Sequence, residues 1–194
     1  MKKNSVALDI AYVAVFTALI IVFAFVSIPT PTAGVPIVLQ NAIIILAGLI
    51  LGGRRGFFVG LLFLALGLVG MPILAGGRSA LGAIAGPTVG YLVGYIIAPA
   101  IAGLIAYRAP RAKGEMIATL AVAGVVGLAI QYFCGSIGLM VRSDMSFIAA
   151  IAAQGPFLIP DLIKVAVMVA VAVGVHTAFP DLMGRHASST QQHA

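Results

Sequence analysis

Charge is scarce in this chain. Eleven Lys or Arg and five Asp or Glu make up 8% of its 194 residues, against roughly 25% in a soluble globular domain. That excludes a soluble domain. The basic residues stand between apolar runs, so they build no stripe for nucleic acid. Cysteine is nearly absent: a single Cys134, in VVGLAIQYFC, excludes an internal disulfide and a thiolate metal site. Its expected role is that of a small buried hydrophobe. The histidines, His176, His186 and His193, have no carboxylate or cysteine at ligand spacing, so neither a metal centre nor a cofactor is expected. No G-x-x-x-x-G-K-[ST] phosphate loop occurs, which removes ATP as the chain's own fuel by the usual route. There is also no second intramembrane acid to build a proton relay with Asp161.

What the chain does have is apolar sequence, 62% of it. Runs bounded by charge or by Pro/Gly clusters fall near 8–28, 36–53, 56–74, 87–107, 115–140 and 157–179. A perpendicular helix needs about 20 residues to cross the hydrocarbon. The expected fold class is therefore an all-α membrane protein with six transmembrane helices in one domain, 1–183, and a polar, disordered tail at 184–194. The second and third runs are at the short end, with a tight link at 52–56. Lys2, Lys3, Arg54, Arg55, Arg108, Arg111, Lys113 and Arg185 fall on one side of this topology, and only Arg78 and Arg142 on the other. That bias puts both termini in the cytoplasm. The first run is too long for a cleaved signal peptide, and further spans follow it.

Three connections then lie outside: 28–35, 70–87 and 142–156. Near the outer end of the last span stand Asp161 and Lys164, three residues apart in PFLIPDLIKVAVMVAVAVGV. Spacing i, i+3 puts both on one helix face, to pair with each other or to grip one polar ligand together. A charge near the bilayer centre costs at least 2.5–3.5 kcal/mol on insertion scales, so such a pair reads as functional. Pro156 suits a first helical turn, and Pro160 is expected to kink the helix or delay its start. The dipole at that end favours Asp161 and disfavours Lys164, which therefore needs a partner beyond the backbone.

Other positions stay open on spacing alone. Ala7, Ala11, Ala14 and Ala18 form a ridge of small side chains, either for packing inside the bundle or for docking a second membrane protein. Gln40 serves a neighbouring backbone carbonyl or a substrate. Tyr91 and Tyr95 belong to an interfacial belt or to a pocket wall. Arg78, the one charge in the glycine-rich 67–95 stretch, snorkels or meets a ligand, and glycines there, Gly77 among them, admit close approach. A Ser136–His176 dyad fails: His176 lies roughly 22 Å inward of Asp161 along its helix, while Ser136 sits at an outer helix end and a base must approach within about 3 Å.

Four segments carry a resemblance: VPIVLQ (35–40), GLVGMPILAGG (67–77), GPTVGY (86–91) and PFLIPDLIKV (156–165). In that order within six spans, they make the chain similar to the BioY family, the biotin-specific substrate-binding (S) components of energy-coupling factor (ECF) transporters. The likeness runs from Ala14 to about Gly174. Val89 stands where the family commonly has a second glycine after GPT, and Pro160 where it more often has glycine. The resemblance implies no enzyme but a six-helix S component in a prokaryotic cytoplasmic membrane. Such a component binds biotin from outside and works, among membrane lipids, with a transmembrane coupling protein and a pair of ATPases. It carries Asp161 and Lys164 over to the pocket and Ala14 and Ala18 to the coupling-protein contact. A carboxylate there would accept from the ureido N–H groups of biotin and an ammonium would donate to its carbonyl. Arg78 is the candidate for the biotin carboxylate. Gln40, Tyr91 and Gly77 complete the expected substrate-binding set, and 28–35 is the expected lid. The alternative from another class is a stand-alone facilitator or ion-coupled carrier for a small anionic metabolite.

Overall fold

The computed structural model of the chain describes residues 3–28, 37–110 and 112–183. The tail expected at 184–194, nearly all of the expected lid, and Lys2, Arg111, Arg185, His186 and His193 lie outside the described residues. The rest is mostly helical. α1 (Lys3–Val22) runs into a 3-10 turn, Phe23–Phe25, and then a short antiparallel ribbon, β1 (Ser27–Ile28) with β2 (Ile37–Val38). Ser27 pairs with Val38 and Ile28 with Ile37. There follow α2 (Gln40–Leu51), α3 (Gly53–Leu68), a single-turn α4 (Ala80–Ala83), α5 (Val89–Ala106), α6 (Lys113–Ser143), α7 (Phe147–Ala152) and α8 (Gly155–Ala178).

Among the described residues, four helical stretches are long and apolar enough to cross a membrane: Val6–Phe25, α5, α6 and α8. The second and third runs are shorter as helices than as hydrophobic sequence. α2 has 12 residues and covers ~18 Å at 1.5 Å per residue, well under the ~30 Å of hydrocarbon. Its apolar character has another cause. From Ile44 to Leu51 every residue is buried, as befits a helix that is hydrophobic all round and forms the core of a bundle. α1, α3, α5, α6 and α8 surround it.

The α2–α3 break is a single residue. Gly52 has φ +85°, a conformation that L side chains rarely adopt, and α3 starts at the next position. Pro160 does not delay α8, which begins at Gly155 with Pro156 in its first turn and carries Pro160 inside. The connection 142–156 is not a plain loop either: Ser146 caps α7 by accepting from the Ala149 amide.

Close helix packing on α5 has a specific device. Pro99 lies inside α5 and gives no amide hydrogen to the Tyr95 carbonyl four residues back. That carbonyl rests against the Cα of Gly60 on α3, where a β-carbon would clash with it. Because the clashing atom is backbone, it cannot step aside. Gly60→Ala should therefore cost about 1–3 kcal/mol through overpacking and lower the thermal unfolding midpoint in detergent. Gly174→Ala, with nothing within 4 Å of its β-carbon position, should be neutral or slightly stabilising. Equal midpoints for the two variants would mean that α3 and α5 are not in this contact.

Candidate functional site

The start of α2, the 73–78 turn, the first turns of α5 and α8, and the middle of α6 converge on one cavity. Its side chains leave about 70 Å³ of free volume between them. Its exposed wall is mostly apolar, with Ile37, Leu74, Leu92 and Phe157 among the lining residues, although most of the lining side chains carry a polar group.

Asp161 and Lys164 are at its centre. Asp161 is six residues into α8 and Lys164 nine, roughly 9 and 14 Å from the helix start. The Lys164 ammonium donates to Asp161 Oδ1 at 2.6 Å, to the Val38 carbonyl at 2.6 Å and to Asn41 Oδ1 at 3.2 Å. All three of its hydrogens are thus in use. Asp161 is 3% exposed, and its second oxygen accepts from the Tyr132 hydroxyl at 2.8 Å. A buried charge pair is tolerated only when hydrogen bonds satisfy its remaining valences, and here β2, α2 and α6 supply them.

A second polar chain runs beside this cluster. The Tyr91 hydroxyl donates to Gln154 Oε1 at 2.6 Å, and Gln154 Nε2 donates to Ser136 Oγ at 3.3 Å. This joins α5, α6 and the α7–α8 junction. Tyr91 and Tyr95 both line the cavity, so the pocket-wall reading of this pair holds geometrically. Thr88 lines it too, and its buried hydroxyl has no hydrogen-bond partner among the described residues.

Arg78 is at the rim, exposed, with Nε donating to the Ala75 carbonyl at 3.3 Å. Its position is set by a tight turn. Leu74 accepts from Gly77 N–H and donates to the Arg78 carbonyl, while Gly76 and Gly77 take φ +75° and +71°. Gly77 shapes this turn but is not among the residues lining the cavity. Gln40 does line it, yet both its amide hydrogens go to backbone, to Ile73 O at 2.8 Å and Ile20 O at 3.1 Å.

Tyr132, Asn41, Gln131, Gln154 and Thr88 were not singled out by sequence reasoning. They stand in apolar runs, Asn41 beside Gln40 and Gln131 beside Tyr132, and all five line the cavity. Ser136 and His176 stay apart: Ser136 joins the Gln154 chain, while His176 Nε2 meets the Leu49 carbonyl at 2.8 Å. The alanine ridge points away from the bundle. Ala7, Ala11, Ala14 and Ala18 are all exposed, and Thr17 and Ile20 take the buried side of α1.

Comparison with known proteins gives a consistent result. The chain matches the BioY family over residues 1–181. It is 37% identical over 168 residues to the biotin transporter BioY of Rhodobacter capsulatus, covering 82% of this chain and 88% of that one. It is 36% identical to the probable biotin transporter BioY of Pyrococcus horikoshii, covering 86% and 94%. Its fold matches the 2.1 Å crystal structure of the S-component for biotin from an ECF-type ABC transporter. That match has a TM-score of 0.81 at 27% identity, over 91% of this chain and 95% of that one. With the match extending over nearly the whole chain, and with relatives and fold in agreement, the chain belongs to the BioY family.

Proposed function

We propose that this chain captures biotin in the α2–α5–α6–α8 cavity and is the substrate-specific subunit of an ECF-type transporter, not an enzyme. The observation that carries this reading is the Lys164–Asp161–Tyr132 cluster set in apolar walls. It matches biotin group by group. The Asp161 carboxylate accepts from the ureido N–H groups, and the Lys164 ammonium donates to the ureido oxygen in a charge-assisted bond. Leu92, Phe157 and the tyrosine rings take the bicycle and valeryl chain. Arg78 at the rim meets or steers the carboxylate.

Six membrane crossings in the single domain 1–183, with α2 and α3 as the short ones and both termini cytoplasmic, follow from the distribution of Lys and Arg. In that orientation the cavity opens outward from a prokaryotic cytoplasmic membrane. The exposed alanine ridge of α1, with Ala14 and Ala18, docks the transmembrane coupling protein, through which the ATPases act. No phosphate loop lies within the chain itself.

Titration calorimetry in detergent against biotin, riboflavin and thiamine tests the ligand. Tight nucleotide-independent binding of biotin alone is expected; equal or stronger binding of another vitamin overturns the assignment.

Removing one partner of a buried charge pair costs about 3–5 kcal/mol, because the other charge is stranded. Lys164→Ala should weaken biotin binding at least ~100-fold, taking 1.4 kcal/mol per factor of ten. Asp161→Asn should weaken it less, since an amide oxygen still accepts one ureido hydrogen. Affinity is read on the monodisperse fraction of each variant. Wild-type affinity in folded Lys164→Ala would move the site elsewhere.

Ala14→Trp and Ala18→Trp should spare biotin binding and abolish uptake with the partner subunits, because a bulky ring holds apart helices that rely on small residues. Loss of biotin binding itself in these variants would be incompatible with a docking role.

A further inference from the structure

α1 and α3 leave a groove between them that opens away from the bundle and is separate from the biotin cavity. It holds about 1100 Å³ of non-atom space counting its open side, and its lining is overwhelmingly apolar. Ile10, Val13 and Ala14 line it from α1, Ala14 being shared with the ridge proposed to dock the coupling protein, and Phe58, Leu61, Leu62 and Ala65 from α3. A groove of this composition at membrane depth is not a stable place for water, since each apolar surface left wet is unfavourable. Lipid chains are what the bilayer offers to fill it.

One end of the groove is charged. Asp9 and Arg55 form an ion pair across it, and the Arg55 guanidinium also lies over the Tyr12 ring, 5.2 Å from its centroid. Arg55 is therefore committed to the protein. Arg54 beside it lines the groove, is exposed, and makes no ion pair among the described residues. The first turn of α3 contains no acidic residue and no side-chain cap, so the helix dipole adds to the attraction for an anion at this end. From Arg54 to Ala65 the groove runs ~16 Å along α3, close to the depth of one leaflet, half of the ~30 Å hydrocarbon core. A cation at headgroup level above an apolar trough one leaflet deep matches an anionic phospholipid in charge and in length.

We propose that a single anionic phospholipid occupies the α1–α3 groove, with its phosphate on Arg54 and one acyl chain on the apolar floor. The site is distinct from the biotin cavity, and its existence does not rest on the ligand proposed there.

Native mass spectrometry of the detergent-solubilised protein, titrated with phosphatidylglycerol and with phosphatidylcholine of the same chains, is the test. The wild type should retain one phosphatidylglycerol about tenfold more tightly than phosphatidylcholine, in keeping with a charge-assisted phosphate contact. Arg54→Gln should abolish the preference, Arg54→Lys should keep most of it, and Ala65→Trp should weaken both lipids by filling the trough. Arg142→Gln, an exposed arginine outside this groove, should change nothing. Equal retention of the two lipids by the wild type, or a preference that survives Arg54→Gln, overturns the proposal. So does a preference lost equally in Arg142→Gln, which would mark diffuse surface charge. Biotin affinity measured on the same samples reports that each variant is folded. If biotin fails to bind even the wild type, thermal unfolding serves as that control and the lipid result stands by itself.

Discussion

An ammonium has three hydrogens, and the one on Lys164 spends all three inside the protein, on Asp161, Val38 and Asn41. The organisation around the cavity follows from that demand. A lysine so deep in an apolar helix is too costly to leave unpaired, so the chain must bring β2 and the first turn of α2 against α8. Tyr132 from α6 then completes the carboxylate. If the proposed ligand binds at this cluster, its entry is an exchange and not an addition. A ligand oxygen can reach Lys164 only by displacing one of its present acceptors. The bond to Asn41, at 3.2 Å, is longer than the two at 2.6 Å. A ureido carbonyl replacing an amide oxygen is like for like, so no buried hydrogen is left without an acceptor.

The short α2 raises the opposite problem, that of backbone and not of charge. A helix ends with carbonyls that have no partner within it, and in an apolar interior each must find one elsewhere. At the C-terminal end, His176 Nε2 donates to the Leu49 carbonyl and the Tyr107 hydroxyl donates to that of Ile50 at 2.9 Å. Gly52 returns its amide to Gly48. His176 thereby closes the end of α2, and its ring meets that of Tyr107 edge to face at 6.2 Å.

What was legible in the sequence was whatever the membrane makes expensive. Asp161 and Lys164 stood out because charge at depth is costly, and α5, α6 and α8 because their apolar runs have full spanning length. Hydropathy could not distinguish a helix that faces lipid from one surrounded by protein, since both are apolar on every side. That is why α2 read as a membrane span, though one at the short end. Nor could it find α7, whose signal is a local Ser146 cap and six residues. Tyr132 and Asn41 were missed because a single hydroxyl or amide costs far less than a charge, so its position carries little information until the helices are assembled. The alanine ridge was legible as a ridge, but only the buried positions of Thr17 and Ile20 reveal that it faces outward.

On the proposed reading, capture and docking occupy different parts of the molecule, and among the described residues the polar bonds between those parts are few. No residue of α1 lines the cavity among the described residues. α1 is tied to the rest by the Asp9–Arg55 ion pair at one end and by Gln40 at the other. Gln40 is the more consequential link, because its two amide hydrogens join Ile20 on α1 to Ile73 at the base of the Arg78 turn. With this side chain 1% exposed, neither bond can be exchanged for water without cost. A partner that shifts α1 therefore pulls on the turn that carries Arg78 before it disturbs the Lys164 cluster, which is anchored to α2, α6 and β2. The rim of the cavity is mechanically closer to the docking face than its floor is.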